Sequence, residues 1–204
     1  MKLSHLFITL CLSTVPLIAT ATEFKGRGAA LTIDLIEGRC SGTSVGEYTI
    51  LTATHCFAPA TDPEGPPNTS APIRVNGKVM TITNVVHDGK DHILIIMDQA
   101  FKTWAPIAAP ATQGDRIHFW GNPGGLTMIL REGLVIGSEG PVDIIDAQGW
   151  KGDSGSGVFN HRGEVVGVVS AINADIDPNW PGASFQVVLM SPLAFTPEQL
   201  ALIK

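Results

Sequence analysis

The strongest constraint on the fold is the regular interruption of short apolar runs by Gly, Pro, Asn and Asp. Runs of strand length cover residues 29–36, 48–53, 72–75, 78–86, 92–97, 116–120, 127–130, 133–137, 142–145, 157–159, 164–172 and 184–190. Val, Ile and Thr are frequent in them, and such side chains suit a pleated surface. Asn76-Gly77 between two runs is a two-residue hairpin signal, and Asn160 to Gly163 reads as a slightly longer turn. Many short strands separated by turn signals predict an all-β barrel or sandwich. Only the C-terminus reads as helix. Thr196 can cap it, Pro197 suits its first turn, Gln199 completes a capping box, and Leu200, Leu202 and Ile203 can pack back on the body. A Pro-rich loop spans 57–71, and the irregular stretch 98–115 reads as the link between two halves.

The chain has 204 residues, 44% hydrophobic and 16% charged, enough to bury one core or two small ones. Its net charge is −6, with no cluster of Lys or Arg, so no nucleic-acid partner is expected. Residues 1–21 read as a signal peptide. Met1-Lys2 supplies the positive start, Leu6 to Ala19 the apolar run, and Ala19-Thr20-Ala21 the small residues for cleavage before Thr22. The run is short for a span and contains Pro16. No later segment is long and apolar enough to cross a bilayer, so no stable membrane association is expected. The protein is expected to be secreted or periplasmic. Removal of the signal removes Cys11 and leaves Cys40 and Cys56, which read as one disulfide in an exported chain. Two cysteines do not make a structural zinc site, and there is no CxxC.

Chemistry concentrates in three segments: Thr52-Ala53-Thr54-His55-Cys56, Asp91-His92-Ile93-Leu94-Ile95 and Gly152-Asp153-Ser154-Gly155-Ser156-Gly157. A serine hydroxyl is a weak nucleophile at neutral pH and needs a nearby base, for which imidazole is suited. The imidazole needs a carboxylate to fix its tautomer and stabilise its cation. A developing oxyanion needs fixed backbone N–H donors, and glycines beside the serine allow a turn tight enough to offer them. These segments can supply all three needs.

The order His, Asp, Ser within TATHC, DHILI and GDSGSG resembles the trypsin-like serine proteases of the chymotrypsin fold. Cys40, sixteen residues before Cys56, resembles the cysteine whose disulfide ties down the histidine loop in that family. The short spacings, and GDSGSG in place of the animal-type GDSGGP, resemble the compact bacterial-type members. The resemblance implies two six-stranded antiparallel β-barrels with a short C-terminal helix, residues 22–105 and 106–204 forming the two. It implies catalytic His55, Asp91 and Ser154, and an oxyanion hole from the Gly152 and Ser154 N–H groups. Ser170 resembles the serine that supports the triad aspartate and starts the strand that pairs with substrate. The GNPGG segment, Gly121 to Gly125, resembles a glycine turn near the start of the second barrel.

The resemblance also implies a P1 pocket with Gln148 at its base, six residues before the nucleophile. Its walls would come from Ala171, Ile172 or Asn173 on one side and Gly182 or Ala183 on the other. A neutral base and a β-branched wall predict small or medium uncharged P1 residues. In the animal members a freshly cut N-terminus pairs with the aspartate beside the nucleophile, here Asp153. The start Thr22-Glu23-Phe24-Lys25 lacks the required motif, so some other donor is expected to hold Asp153, with no activating cut beyond signal removal.

Other readings stand beside these. Asp88, in the turn-like His87-Asp88-Gly89, is the rival to Asp91. His92 reads as outward-pointing, and His118 and His161 as surface or core residues. A metal site from His87, Asp91 and His92 lacks a fourth ligand. Asp175-x-Asp177-x-Asn179 hints at a calcium loop, but Trp180 stands where glycine is needed. Asn68-Thr69-Ser70 matches a glycosylation sequon. No cofactor or metal is expected. The expected partner is a protein or peptide substrate, and the expected state is a monomer. The alternative class is a catalytically inactive protease-fold binding protein. An α/β-hydrolase would need GxSxG and the order Ser, Asp, His, which this chain does not have.

Overall fold

The computed structural model describes residues 24–36, 38–58, 69, 71–176 and 184–203. The signal segment, Asn68, Asp177, Asn179, Trp180, Gly182 and Ala183 lie outside the described residues. The architecture is the all-β two-barrel arrangement.

The first unit is a seven-stranded antiparallel sheet. Its strands are β1 (Ala30–Leu35), β2 (Gly38–Gly46), β3 (Thr49–Ala53), β4 (Ile73–Val75), β5 (Lys78–Met80), β6 (Ile82–His87) and β7 (His92–Met97). Their order is β5-β4-β1-β2-β3-β7-β6. β5 and β6 occupy opposite edges, yet only Thr81 separates them in the chain. The sheet therefore rolls until its edges meet at that residue. Thr81 is held there by Asp98, which accepts from its N–H and donates back to its carbonyl. The expected strand 78–86 is thus one path broken at Thr81, and the expected six-stranded barrel takes the form of a rolled sheet whose sixth path is split into β5 and β6.

The second unit is a closed barrel of β8 (Arg116–Gly121), β9 (Ile129–Glu139), β10 (Val142–Ile145), β11 (Gly157–Phe159), β12 (Val165–Ile176) and β13 (Ser184–Ser191), in the order β10-β13-β12-β11-β8-β9. The expected strands 127–130 and 133–137 are one strand, β9. Gly133 lets it continue, because a Cβ there would lie 2.3 Å from the Asp146 carbonyl oxygen.

Every residue of β3 and β7 is buried, and alternation along them sends side chains to two places. Ile50, Ile93 and Ile95 point into the first unit with Ile33, Ile73 and Met80. Leu51 and Leu94 point the other way and meet Trp120, Phe159, Val165 and Val168 of the second unit. A third cluster, including Ile117, Phe119, Val135, Ile145 and Val188, fills the closed barrel. The site lies at the joint between the two units.

β2 was not legible as a strand, because it carries small polar residues where apolar ones would signal burial. Ser41, Thr43 and Ser44 are nevertheless fully buried. Their polar atoms are spent on distant partners: the Gly157 N–H across the joint donates to Thr43 Oγ1, and the Ser44 hydroxyl bonds the Ala29 and Thr103 carbonyls within the first unit. The local signals behaved as expected. Asn76 and Gly77 both have positive φ (49° and 79°), as a type I′ hairpin requires. The helix α1 (Pro197–Leu200) carries both bonds of the Thr196–Gln199 capping box. Ile203 packs on the joint cluster, whereas Leu202 is exposed.

Candidate active site

His55 sits in a single 3-10 turn, Thr54–Phe57, that begins where β3 ends. Asp91 immediately precedes β7. β3 and β7 are antiparallel partners with Ala53 opposite His92, so residues just beyond the end of the ladder face one another. The Thr54 N–H donates to the Asp91 carbonyl at 3.0 Å. The His55 N–H donates to Asp91 Oδ1 at 3.0 Å, and His55 Nδ1 lies 2.7 Å from Asp91 Oδ2. One carboxylate thus grips both the backbone and the ring of one histidine. That fixes the ring plane and leaves Nε2 turned to the opposite side. Burial opposes ionisation of Asp91, but hydrogen bonds and charge from His55, together with the Ser170 hydroxyl, outweigh it. The carboxyl is held below the ordinary carboxylate value. The Ser170 hydroxyl is buried and makes no well-formed hydrogen bond, so its effect on Asp91 is that of a nearby dipole.

The Cys40–Cys56 disulfide is formed, with an S–S distance of 2.07 Å. It ties β2 to the histidine turn.

Ser154 stands in a tight turn between β10 and β11. The Asp153 N–H closes onto the Trp150 carbonyl and the Ser156 N–H onto the Asp153 carbonyl, both at 3.0 Å. Gly152 has φ 102°, and a Cβ there would lie 2.3 Å from the Asn122 carbonyl oxygen, so only glycine fits. Two strands pin this turn from either side. The Ser41 N–H of β2 donates to the Ser154 carbonyl at 2.8 Å, and the Gly155 N–H donates to the Val169 carbonyl of β12 at 2.9 Å. His55, Gly152 and Ser154 line one cavity of about 270 Å³, with Arg39, Lys151 and the disulfide among its other walls.

A buried polar chain across the joint supports the turn. The Thr32 hydroxyl donates to Asn122 Oδ1, Asn122 Nδ2 donates to Ser41 Oγ, and the Ser41 hydroxyl donates to the Gly152 carbonyl, each at 2.8 Å. Asn122 and Ser41 are fully buried. Neither residue stood out in the sequence. Asn122 lies inside the GNPGG turn, which had been noticed only for its glycines.

The fully buried Asp153 carboxylate points away from the cavity. Its Oδ2 accepts the Trp150 N–H at 2.9 Å and lies 3.4 Å from Arg131 Nε on β9. Burial pushes its pKa up despite these partners. Arg131 was invisible in the sequence because it fell in the gap between two expected strands.

Asp88 does not compete for His55. It pairs with His92 instead, Oδ2 to Nδ1 at 2.5 Å, with both side chains fully buried. Its oxygens also accept the Lys90 and Ala194 N–H groups. The outward reading of His92 is therefore corrected. The residue is buried because the segment after β13 folds over it, bringing Phe195 to a ring distance of 6.4 Å. His118 is a core residue whose Nε2 lies 2.7 Å from the Lys25 carbonyl, and His161 is exposed.

The residues expected around P1 are divided. Gln148 is exposed and lines a separate cavity of about 390 Å³ with Arg131, Trp150 and Gln186. Ile172 packs on the neighbouring Gly149, where a Cβ would lie 2.9 Å from Ile172 Cγ1 and 2.8 Å from Val188 Cγ2.

Comparison with known proteins bears on the family and the fold. The family model described as a trypsin-like peptidase domain matches residues 40–168, more than half of the chain. The active form of the Rv3671c protease from M. tuberculosis is similar with a TM-score of 0.62 at 20% identity, covering 87% of this chain and 82% of that one. Its inactive form gives a TM-score of 0.60 at 18% identity, covering 87% of this chain and 90% of that one. At these identities the likeness is one of fold. A comparison with curated protein sequences gave no match.

Proposed function

Because this chain belongs to the trypsin-like peptidase family, we propose that it is a secreted serine endopeptidase that cleaves peptide bonds through an acyl-enzyme on Ser154. The observation that carries this reading is the grip of one carboxylate on His55, whose ring borders the same cavity as Ser154. In the proposed reaction the Ser154 hydroxyl attacks the scissile carbonyl while His55 Nε2 takes its proton. Asp91 stays ionised and stabilises the imidazolium. The carbonyl oxygen becomes an oxyanion held by the Gly152 and Ser154 N–H groups. His55 then gives the proton to the departing amine, and water repeats the sequence on the ester.

Substrate backbone would pair with the β12 edge from Ser170 onward. The packing of Ile172 and Val188 on Gly149 supports a shallow P1 site for small or medium uncharged side chains. The proposed halves, 22–105 and 106–204, are supported by a change of hydrogen-bond partners. The Ala105 N–H bonds to Ser44 of the first unit, and the Ala108 N–H bonds to Val165 of the second. Export is supported by the disulfide, since such bonds persist in oxidising compartments. Among the described residues no helix is long and apolar enough to cross a membrane.

The test is covalent labelling with a peptidyl phosphonate followed by mass mapping, together with Ser154→Ala. Label on Ser154, and loss of activity on the order of 10⁶-fold in the variant, are expected. A well-folded protein that neither labels nor cleaves any member of a peptide library would instead be a binding protein on this fold.

A further inference from the structure

Resting on the serine-peptidase reading, we propose that the groove on the leaving-group side of Ser154 selects substrates with an acidic residue downstream of the scissile bond, at P2′. The cavity of about 270 Å³ beside Ser154 is walled by His55, the disulfide and β2, and no residue of β12 lines it. It is therefore the side to which His55 delivers the amine, opposite the strand that would hold the acyl half. Apart from His55, its charged lining among the described residues is Arg39 and Lys151, both cationic. A second cavity of about 510 Å³ shares the Arg39 side chain and adds Arg27. Its carboxylate is Asp34, which is engaged by Arg39 Nε at 2.6 Å. Among the described residues, three cations face one paired carboxylate along this path, in a chain whose net charge is −6. The groove is an electropositive strip on an acidic protein, and such a field favours an acidic peptide.

The two cations nearest the nucleophile are positioned differently. Arg39 is immobilised by Asp34 and by donation from Nη1 to the Gly125 carbonyl at 2.9 Å, so part of its charge is already answered. Lys151 has its backbone fixed by the Gly124 N–H, which donates to the Lys151 carbonyl at 2.8 Å, and its side chain is exposed. With no carboxylate bonded to it among the described residues, Lys151 is the main source of selection. An exposed cation pairs weakly in water, which sets the scale at a few-fold rather than thousand-fold.

The experiment uses two internally quenched peptide libraries, randomised from P4 to P1′ and fixed at P2′ as Glu or Lys. The readout is the ratio of kcat/KM for Glu over Lys within each enzyme, so a general effect of substitution on turnover cancels. In the wild type the ratio is expected to be about fivefold at low ionic strength and to shrink in high salt. In Lys151→Glu it is expected to fall below one. A wild-type ratio near one, or a ratio unchanged by Lys151→Glu, would overturn the inference while phosphonate labelling of Ser154 still upheld the peptidase reading. Failure of labelling would overturn both.

Discussion

Arg131 Nε stands 3.4 Å from Asp153 Oδ2, joining a strand of the closed barrel to the carboxylate next to Ser154. A cation from within the folded chain thus neighbours the aspartate for which the sequence offers no freshly cut N-terminus as partner. The protein beginning at Thr22 is predicted to be active without further cleavage, as judged by active-site titration alongside intact mass. Arg131→Met would leave a buried carboxylate without its cation. That is expected to cost about 3 kcal/mol of stability. It should also reduce kcat/KM by at least about tenfold, because the Trp150–Asp153 turn loses its anchor. Arg131→Lys should restore part of both.

Ser41 holds the Gly152–Asp153 peptide plane, which lies between the two proposed oxyanion donors. Its hydroxyl holds the Gly152 carbonyl and is itself oriented by Asn122. Ser41→Ala is predicted to lower kcat by about tenfold with little change in KM, since the donors are loosened rather than removed. Asn122→Ala removes a fully buried amide from four partners and should cost about 2 kcal/mol in denaturant titration. If Asn122 acts through Ser41, the double variant should lose no more kcat than the worse single one.

The disulfide joins β2 to the histidine turn over a separation of 16 residues. Replacing both Cys40 and Cys56 with Ser should lower stability by about 3 kcal/mol in the chain-entropy model. Urea denaturation of the variant beside the oxidised protein measures this.

Asp88 sets part of the acid limb of stability. Burial opposes its ionisation, but His92 and the Lys90 and Ala194 N–H groups outweigh that, and its pKa is lowered. A carboxylate depressed in the folded state binds fewer protons there than in the unfolded state. Its stabilisation is therefore present above the ordinary carboxylate value and is lost as pH falls below it, through the folded value. Asp153 is shifted the other way, and its contribution is lost as pH rises through its folded value. Asp88→Asn should therefore flatten the fall in unfolding free energy as pH drops below the ordinary carboxylate value. An acid limb as steep as that of the wild type would remove this pair from the account.

Features that depend on neighbours in the chain were legible from the sequence. The Asn76-Gly77 turn, the Thr196 capping box and the Gly-rich turn around Ser154 each follow from backbone chemistry within a few residues. The alternating runs likewise marked most strands, because a half-buried strand writes its period into the chain. Where partners lie far apart, that legibility ended. β2 shows no apolar period because its hydroxyls bond partners far along the chain, those of Ser41 and Thr43 across the joint, and Asn122 reaches residues more than eighty positions away. Arg131 and Asp153 meet only because β9 folds beside the nucleophile turn. Which aspartate serves which histidine was settled by the β3–β7 register and by the C-terminal segment covering His92. Local turn and capping preferences are set by the backbone itself, whereas a buried polar group takes its partner from whatever the closed tertiary structure brings within hydrogen-bond reach.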